Sequence, residues 1–322
     1  MTSTKPEISI VIPIYNVEKY IERCARSLFS QTIRDQLEYI FVDDNSSDAS
    51  ILILTNLINE FNISTDQFKL IKLSENQGSA KARNIGIKHA CGNYIGFCDS
   101  DDWVETSMYK DLLETAIINQ SDIVCCNNYF RNSNQQQVTI NYNTPNDIIG
   151  DMLSNSYPTC IWNKLFSREL FNPIDKMVVP PGNMGEDFVF CIQTILKAKT
   201  ISFIESPLYH YWNNATSISN NISYQSIINR ATDLKNNSDV VFDLLSERGL
   251  SNRYKHNIFV RKILVKTMLS NAMRIKNARK LFNSFYPEIN ASLYFKRIPL
   301  NLKRAYFLAS SGIKAYSKLI FN

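Results

Sequence analysis

Residues 94–103 read YIGFCDSDDW, where an apolar run from Tyr94 to Cys98 opens directly onto Asp99, Ser100, Asp101 and Asp102. Two like charges about 5 Å apart, at an effective dielectric near 20, repel by roughly 3 kcal/mol. Such a cluster of acids therefore needs open water or a cation. Asp99-Ser100-Asp101 has the D-x-D form, and two carboxylates so spaced beyond a strand end can hold one hard divalent cation that in turn binds phosphate oxygens. The same pattern is common in exposed loops, but Trp103 and the upstream apolar strand argue against a freely solvated face. Asp43-Asp44 follow the run LEYIFV. An acid there can cap the next helix, a role that suits Asp48, while Asp44 could accept hydrogen bonds from a base or a ribose. In NQGSAKARNIG, Gly78 would let the backbone approach a ligand. Arg83, five residues on, is either within reach of a phosphate or a solvated arginine on a surface helix. Glu186-Asp187 open a helix, where the dipole favours negative charge; alternatively Asp187 is a general base that takes a proton from an attacking hydroxyl. His210, in LYHYW, reads as a packed core histidine or as a metal or phosphate ligand, and His89 and His256 as structural or surface residues.

The elements that must position these residues alternate regularly. Residues 8–13, 37–42, 68–73, 94–98 and 122–126 are short apolar runs with strand character. Between them, Asn16 can cap a helix reaching about Ser30, and Asp48 one with Ile51, Leu54, Leu57, Ile58 and Phe61 at helical spacing. Residues 79–90 and 106–118 read as further helices. This order implies an α/β chain with a parallel sheet covered on both faces, whose ligands bind beyond the carboxyl ends of the strands. Pro13-Ile14-Tyr15-Asn16, Asp43 to Asp48, Asn76 to Ser79 and Asp99 to Asp102 all fall at those ends, four loops at one edge. Residues 127–160 are Asn/Gln-rich and suit a hairpin with a loose loop. Residues 185–199 read as a helix, 201–204 and 208–212 as strands, and everything from about 223 onward as helical. No internal repeat, P-loop or glycine-based dinucleotide fingerprint occurs.

At 322 residues, 44% hydrophobic and 20% charged, the composition is that of a globular chain. No apolar run approaches the ~18–20 residues of a spanning helix, and the N-terminus lacks the layout of a signal peptide, so a cytoplasmic chain is expected. Seven cysteines, at 24, 91, 98, 125, 126, 160 and 191, show no C-x-x-C or zinc spacing and read as buried reduced thiols. Charge is uneven. Residues 251–322 carry fifteen Lys or Arg against one acid, Glu288, about +14 in a chain of +5 overall, which leaves the first 250 residues near −9. Residues 258–282 and 293–321 have the texture of basic amphipathic helices, which either lie on an anionic membrane surface or pack on the catalytic domain. The acidic front half argues against a nucleic-acid partner.

Taken in order, SIVIPIYN (9–16), SLFSQT (27–32), VDDNSSD (42–48), NQGSAKARNIG (76–86), DSDDW (99–103) and GEDFVF (185–190) resemble the inverting, bacterial non-processive glycosyltransferases of family 2. The resemblance covers roughly residues 7–220. It implies the GT-A fold, a Rossmann-like, mostly parallel sheet flanked by helices. A catalytic domain would span 1–220, with a nucleotide-sugar half about 1–125 and an acceptor half about 126–220, and a helical basic region would follow at 221–322. It further implies that Pro13, Tyr15 and Asn16 border the nucleoside, that Asp44 accepts from uracil, that Gly78, Arg83, Asp99 and Ser100 line the nucleotide sugar, and that Asp101 ligates Mn²⁺ or Mg²⁺. Asp187 would be the catalytic base. Trp162 and Lys164 match a W-x-K-L stretch whose role is acceptor-side or structural. Where the family more often has VDDGSTD, this chain has Asn45 and Ser47; asparagine tolerates positive φ, so the turn should survive. No Q-x-x-R-W of processive synthases occurs.

The activity so implied moves one sugar from a nucleotide-diphosphate sugar, UDP-linked by analogy with GDP and dTDP left open, to a glycan or lipid-linked glycan acceptor in cell-surface polysaccharide assembly. The cation would neutralise charge on the departing diphosphate. The rival readings are a nucleotide-sugar-binding protein without catalysis and a sugar nucleotidyltransferase, whose glycine-rich basic signature is absent from residues 8–30.

Overall fold

The computed structural model describes residues 5–131, 136–174, 177–213, 223–272 and 276–290. The chain divides into two compact units, Met1–Thr144 with Cys160–Val179 and Gln193–Ala215, and Pro145–Thr159 with Pro180–Ile192 and Thr216–Asn322.

The first unit is built on β1 (Ile8–Ile14), β2 (Leu37–Asp43), β3 (Phe68–Lys72) and β4 (Tyr94–Phe97), with α1 (Ile21–Phe29), α2 (Ser50–Glu60), α3 (Ser79–His89) and α4 (Met108–Ile118). β1 and β2 are mostly apolar and buried on both faces, as strands of a covered parallel sheet are. Ile8, Ile10, Ile12 and Ile14 share one core with Ile21, Cys24, Ala25, Leu28 and Phe29 of α1. Each of the isoleucine, leucine and phenylalanine side chains contributes roughly 1.5–3 kcal/mol on burial. Close packing on β1 also fixes Gly86 in α3, where a Cβ would come within 2.3 Å of Val11 Cγ1.

The sheet continues through β5 (Trp103–Val104), β6 (Ile123–Arg131), β7 (Gln137–Ile140), β8 (Lys164–Ser167) and β9 (Ile201–Trp212), in the order β3-β2-β1-β4-β8-β6-β9-β5 with β7 on β6. β3, β2, β1 and β4 are mutually parallel. The remainder is mixed: β8 runs antiparallel to β4 and β6, β5 antiparallel to β9, and β9 parallel to β6. The parallel sheet expected from the early alternation holds for its first four strands, while the fifth expected strand, β6, runs antiparallel to β8.

Several local expectations change. α1 starts at Ile21 with no side-chain cap, and Asn16 instead adopts a left-handed φ of 50° and bonds across to the β2 loop. ISFI and LYHYW form one twelve-residue strand. Cys91 is exposed, while Cys24, Cys98, Cys125, Cys126 and Cys191 are buried and all seven cysteines are free.

The second unit is helical: α5 (Ile148–Leu153), the start of α6 (Glu186–Ile195), α7 (Tyr224–Glu247), α8 (Lys255–Thr267) and α9 (Lys276–Ser284). Its core joins Ala231 and Leu234 of α7, Val260, Ile263, Leu264 and Val265 of α8, and Phe282, Phe285, Tyr286 and Ile289. Arg261 and Lys266, within the first basic amphipathic stretch, are buried in that core. Residues 273–275 of that stretch and the second stretch, 293–321, lie outside the described residues. Among the described residues no helix is long and apolar enough to cross a membrane.

Candidate functional site

The loops beyond β1, β2, β3 and β4 are tied together by their own side chains. Asn16 Oδ1 accepts from the Ser47 amide at 2.9 Å, and the Asn16 amide donates to Ser46 Oγ at 3.2 Å. Asn45 sits at φ 64°, the left-handed turn that its amide side chain tolerates. Asp48 accepts from the Ser50 amide and hydroxyl and from the Glu18 amide, which fastens α2 to the β1 loop. Tyr15 is exposed at 49% and Pro13 is half-buried beside it.

Asp44 is buried and accepts from the backbone amides of Gln77 at 2.7 Å and Gly78 at 2.8 Å. Charge-assisted bonds of this kind are about twice as strong as neutral ones. Gly78, at φ 86°, turns both amides toward the carboxylate, a conformation other residues adopt at a cost. Arg83 then lies in the first turns of α3, buried, with Nη2 donating to Asp99 Oδ1 at 2.8 Å. The sequence left Arg83 between a ligand contact and a solvated surface arginine; its burial and its tie to Asp99 exclude the solvated one. Asp43 is also buried, with Oδ1 accepting from Ser46 N and Oδ2 without a partner.

The three acids beyond β4 divide in environment. Asp102 is buried, and its carboxylate accepts from Tyr209 Oη and from the Trp212 amide, both at 2.7 Å. Burial and the neighbouring charges of Asp101 and Asp99 push it well above the usual carboxylate range. It fastens the end of β4 to β9, a role for which the sequence carried no signal. Tyr209 Oη also accepts from the Asp99 amide, and the Trp162 ring stacks on Tyr209 at 4.3 Å. Lys164 is buried, donating to the Cys160 carbonyl and Asn163 Oδ1. The W-x-K-L stretch is therefore a buttress for the acid loop. Ser100 is buried, and Asp99 and Asp101 are half-buried.

His210 is stacked between Trp103 at 4.8 Å and Tyr129 at 4.6 Å, with Nε2 2.7 Å from Glu105 Oε1. Burial lowers its pKa, against the pull of Glu105. This is the packed, hydrogen-bonded arrangement, with the nitrogen facing Glu105 already engaged. Among the described residues no three His, Cys, Asp or Glu side chains form a metal cage. Asp101, with the second oxygen of Asp99, offers hard oxygen donors suited to a divalent cation that completes its shell with phosphate oxygens and water.

In the second unit, Asp187 is half-buried in the first turn of α6. The chain enters this helix through Gly185 at φ 81°, where a Cβ would meet Leu234 Cδ1 at 2.8 Å. Asn237 of α7, fully buried, donates to the carbonyls of Gly182 at 3.0 Å and Met184 at 2.9 Å. Asp233 accepts from the Asn183 amide. Arg261 of α8 lies 4.1 Å from the Phe188 ring centroid, and burial brings its pKa down to about 10. The corner that presents Glu186-Asp187 is thus held by α7 and α8. Helical periodicity marks the stretch from about 223 onward as helical but carries no signal that Asn237, buried, and Asp233, half-buried, hold this corner.

A mixed α/β sheet flanked by helices in this order is the GT-A type of fold. The structure of Staphylococcus aureus TarS 1–349 in complex with UDP-GlcNAc matches 96% of this chain and 89% of its own at a TM-score of 0.59 and 21% identity. A Pyrobaculum calidifontis mannosyltransferase in complex with GDP-Man and Mn²⁺ matches 96% and 87% at 0.58 and 15%. In sequence, the chain is 29% identical over 286 residues to the uncharacterized glycosyltransferase EpsJ of Bacillus subtilis, covering 85% of this chain and 80% of that one. The model of glycosyl transferase family 2 matches residues 9–175. The chain belongs to that family of transferases.

Proposed function

We propose that this protein transfers a single sugar from a nucleotide-diphosphate sugar to an acceptor hydroxyl with inversion. The observation that carries the reading is the Asp44–Gly78–Arg83–Asp99 linkage, which gathers three strand-end loops into one polar, partly buried edge. At that edge Pro13, Tyr15 and Asn16 border the nucleoside, and the Asp44 carboxylate is oriented by two amides toward base recognition. Arg83 holds Asp99 for the ribose and lends positive charge to the phosphates. Ser100 closes the loop beside them. Asp101 would hold a divalent cation, which supplies Lewis-acid stabilisation of the departing diphosphate when bound. Asp187 removes the proton from the acceptor hydroxyl as that oxygen attacks the anomeric carbon. A UDP donor is supported by the TarS structure and by Asp44. The basic stretch 293–321 supports attachment to the anionic cytoplasmic face of a membrane, where a lipid-linked glycan would be the acceptor.

Asp187→Asn tests the assignment: transfer should fall at least a hundredfold while UDP binding by calorimetry changes little. A variant of near wild-type rate removes Asp187 from the reaction. Asp101→Ala should abolish the difference between UDP binding with and without Mn²⁺, and a difference that persists would place the cation elsewhere.

A further inference from the structure

Beyond the acid loop, at the ends of β5, β6 and β9, lies a group of aromatic rings and cations that the proposed donor chemistry does not use. Arg23 Cζ lies 3.7 Å from the Trp103 ring centroid and 4.9 Å from that of Trp212. Arg131, at the end of β6, lies 5.2 Å from the same Trp103 ring. The two indoles are 6.3 Å apart, and His210 stacks against Trp103 within this group. Both guanidiniums are half-buried, and the Nε of each is buried without a hydrogen-bond partner. Arg23 donates to the Asp101 carbonyl at 2.9 Å and lies in the field of Asp102 and Asp101. Arg131 forms no ion pair with a carboxylate among the described residues.

We propose that this patch is an acceptor subsite that reads an anion, taking a glycan unit that carries a phosphate or a carboxylate. Two cations gathered on one aromatic ring repel each other, and partial burial weakens the solvent screening that would relieve them. An anion entering between them removes that repulsion. The planar guanidinium also matches phosphate or carboxylate oxygens in a fork that a lysine cannot form. Trp103 and Trp212, both half-buried, supply the apolar walls typical of a small-molecule site, with the cations as its few oriented polar groups. The Arg23 bond to Asp101 couples the patch directly to the acid loop. The inference rests on the transferase reading above and names the class of acceptor for it.

The test uses the full chain. Glycerol 3-phosphate, glucuronate and glucose are titrated against intrinsic tryptophan fluorescence, since two of the three tryptophans lie in the patch, and UDP is titrated separately by calorimetry. Both anions should bind and glucose should not at the same concentration; the tighter anion identifies phosphate or carboxylate as the natural source. Arg131→Gln should weaken anion binding at least tenfold, Arg131→Lys less severely, and neither should change UDP affinity more than twofold. Glucose binding as tightly as the anions, or an Arg131→Gln variant with unchanged anion affinity, would overturn the proposal. So would a parallel loss of UDP affinity, which would assign the patch to the donor. If Arg131→Gln lowers the melting temperature, Arg131→Met, which keeps the length and apolar stem of the side chain without its charge, is read by the same criteria. A wild-type chain that binds the anions but no nucleotide would overturn the transferase reading and leave the anion subsite standing.

Discussion

Asn237→Ala isolates the part played by the helical unit in presenting the proposed base. The Asn237 amide donates to the Gly182 and Met184 carbonyls, the segment that leads through the left-handed Gly185 into Asp187. Two neutral hydrogen bonds contribute about 0.5–1.5 kcal/mol each. Against that, Asn237 Oδ1 has no partner, a burial cost that truncation removes. The net loss is therefore placed at about 1–2 kcal/mol, which lowers the melting temperature by about 2–8 °C for a domain of this size. The effect on rate should be larger than on stability, because a displacement of about 1 Å in a reacting group can cost on the order of 100-fold. We expect kcat to fall 10- to 100-fold with KM for the nucleotide sugar within twofold, measured by UDP release at a temperature well below the melting transition. A destabilised variant with wild-type kcat would refute the reasoning, since the corner would then keep Asp187 in place without α7.

Two further outcomes follow from the second unit. Lys266 is buried, donating to the Phe282 and Phe285 carbonyls, and burial lowers its pKa from 10.5 to about 8. Below pH 8 it is charged in both states and carries its burial cost in full; above 8 the folded chain has released a proton that the unfolded chain still holds, so stability rises with pH. Urea unfolding should show a gain of about 1–2 kcal/mol between pH 8 and 9.5, and Lys266→Met should flatten that rise. On vesicles of anionic lipid, the full chain should float while a chain ending at residue 290 should not; equal recovery of the two would remove the membrane contact. Ending the chain at 250 instead would strip Val260, Ile263 and Phe282 from the helical core and test folding rather than binding.

The opening half of the fold was legible because β1, β2 and α1 each follow a local rule. Short apolar runs that alternate with helical patterns read as buried strands of a parallel sheet, and their polar sequels fall at one edge. The mixed half was harder. β5 is two residues long and β8 four, too short for a period to register, and Pro207 breaks the pattern of β9 although its register with β6 shifts there rather than ending. Asn16 was misread as a cap because a side chain that suits a helix start also suits a left-handed turn, and only the neighbouring Ser46-Ser47 loop decides between them.

The sequence by itself determined which residues can do chemistry and which strand ends carry them, since strand period and residue type are local properties. Tertiary structure alone decided how the acids differ: Asp102 is consumed by Tyr209 and Trp212, Asp99 is tied to Arg83, and Arg131 lies beside Trp103 with no carboxylate paired to it among the described residues. A carboxylate's role depends on who desolvates it and who donates to it, and those partners are often a hundred or more residues away along the chain.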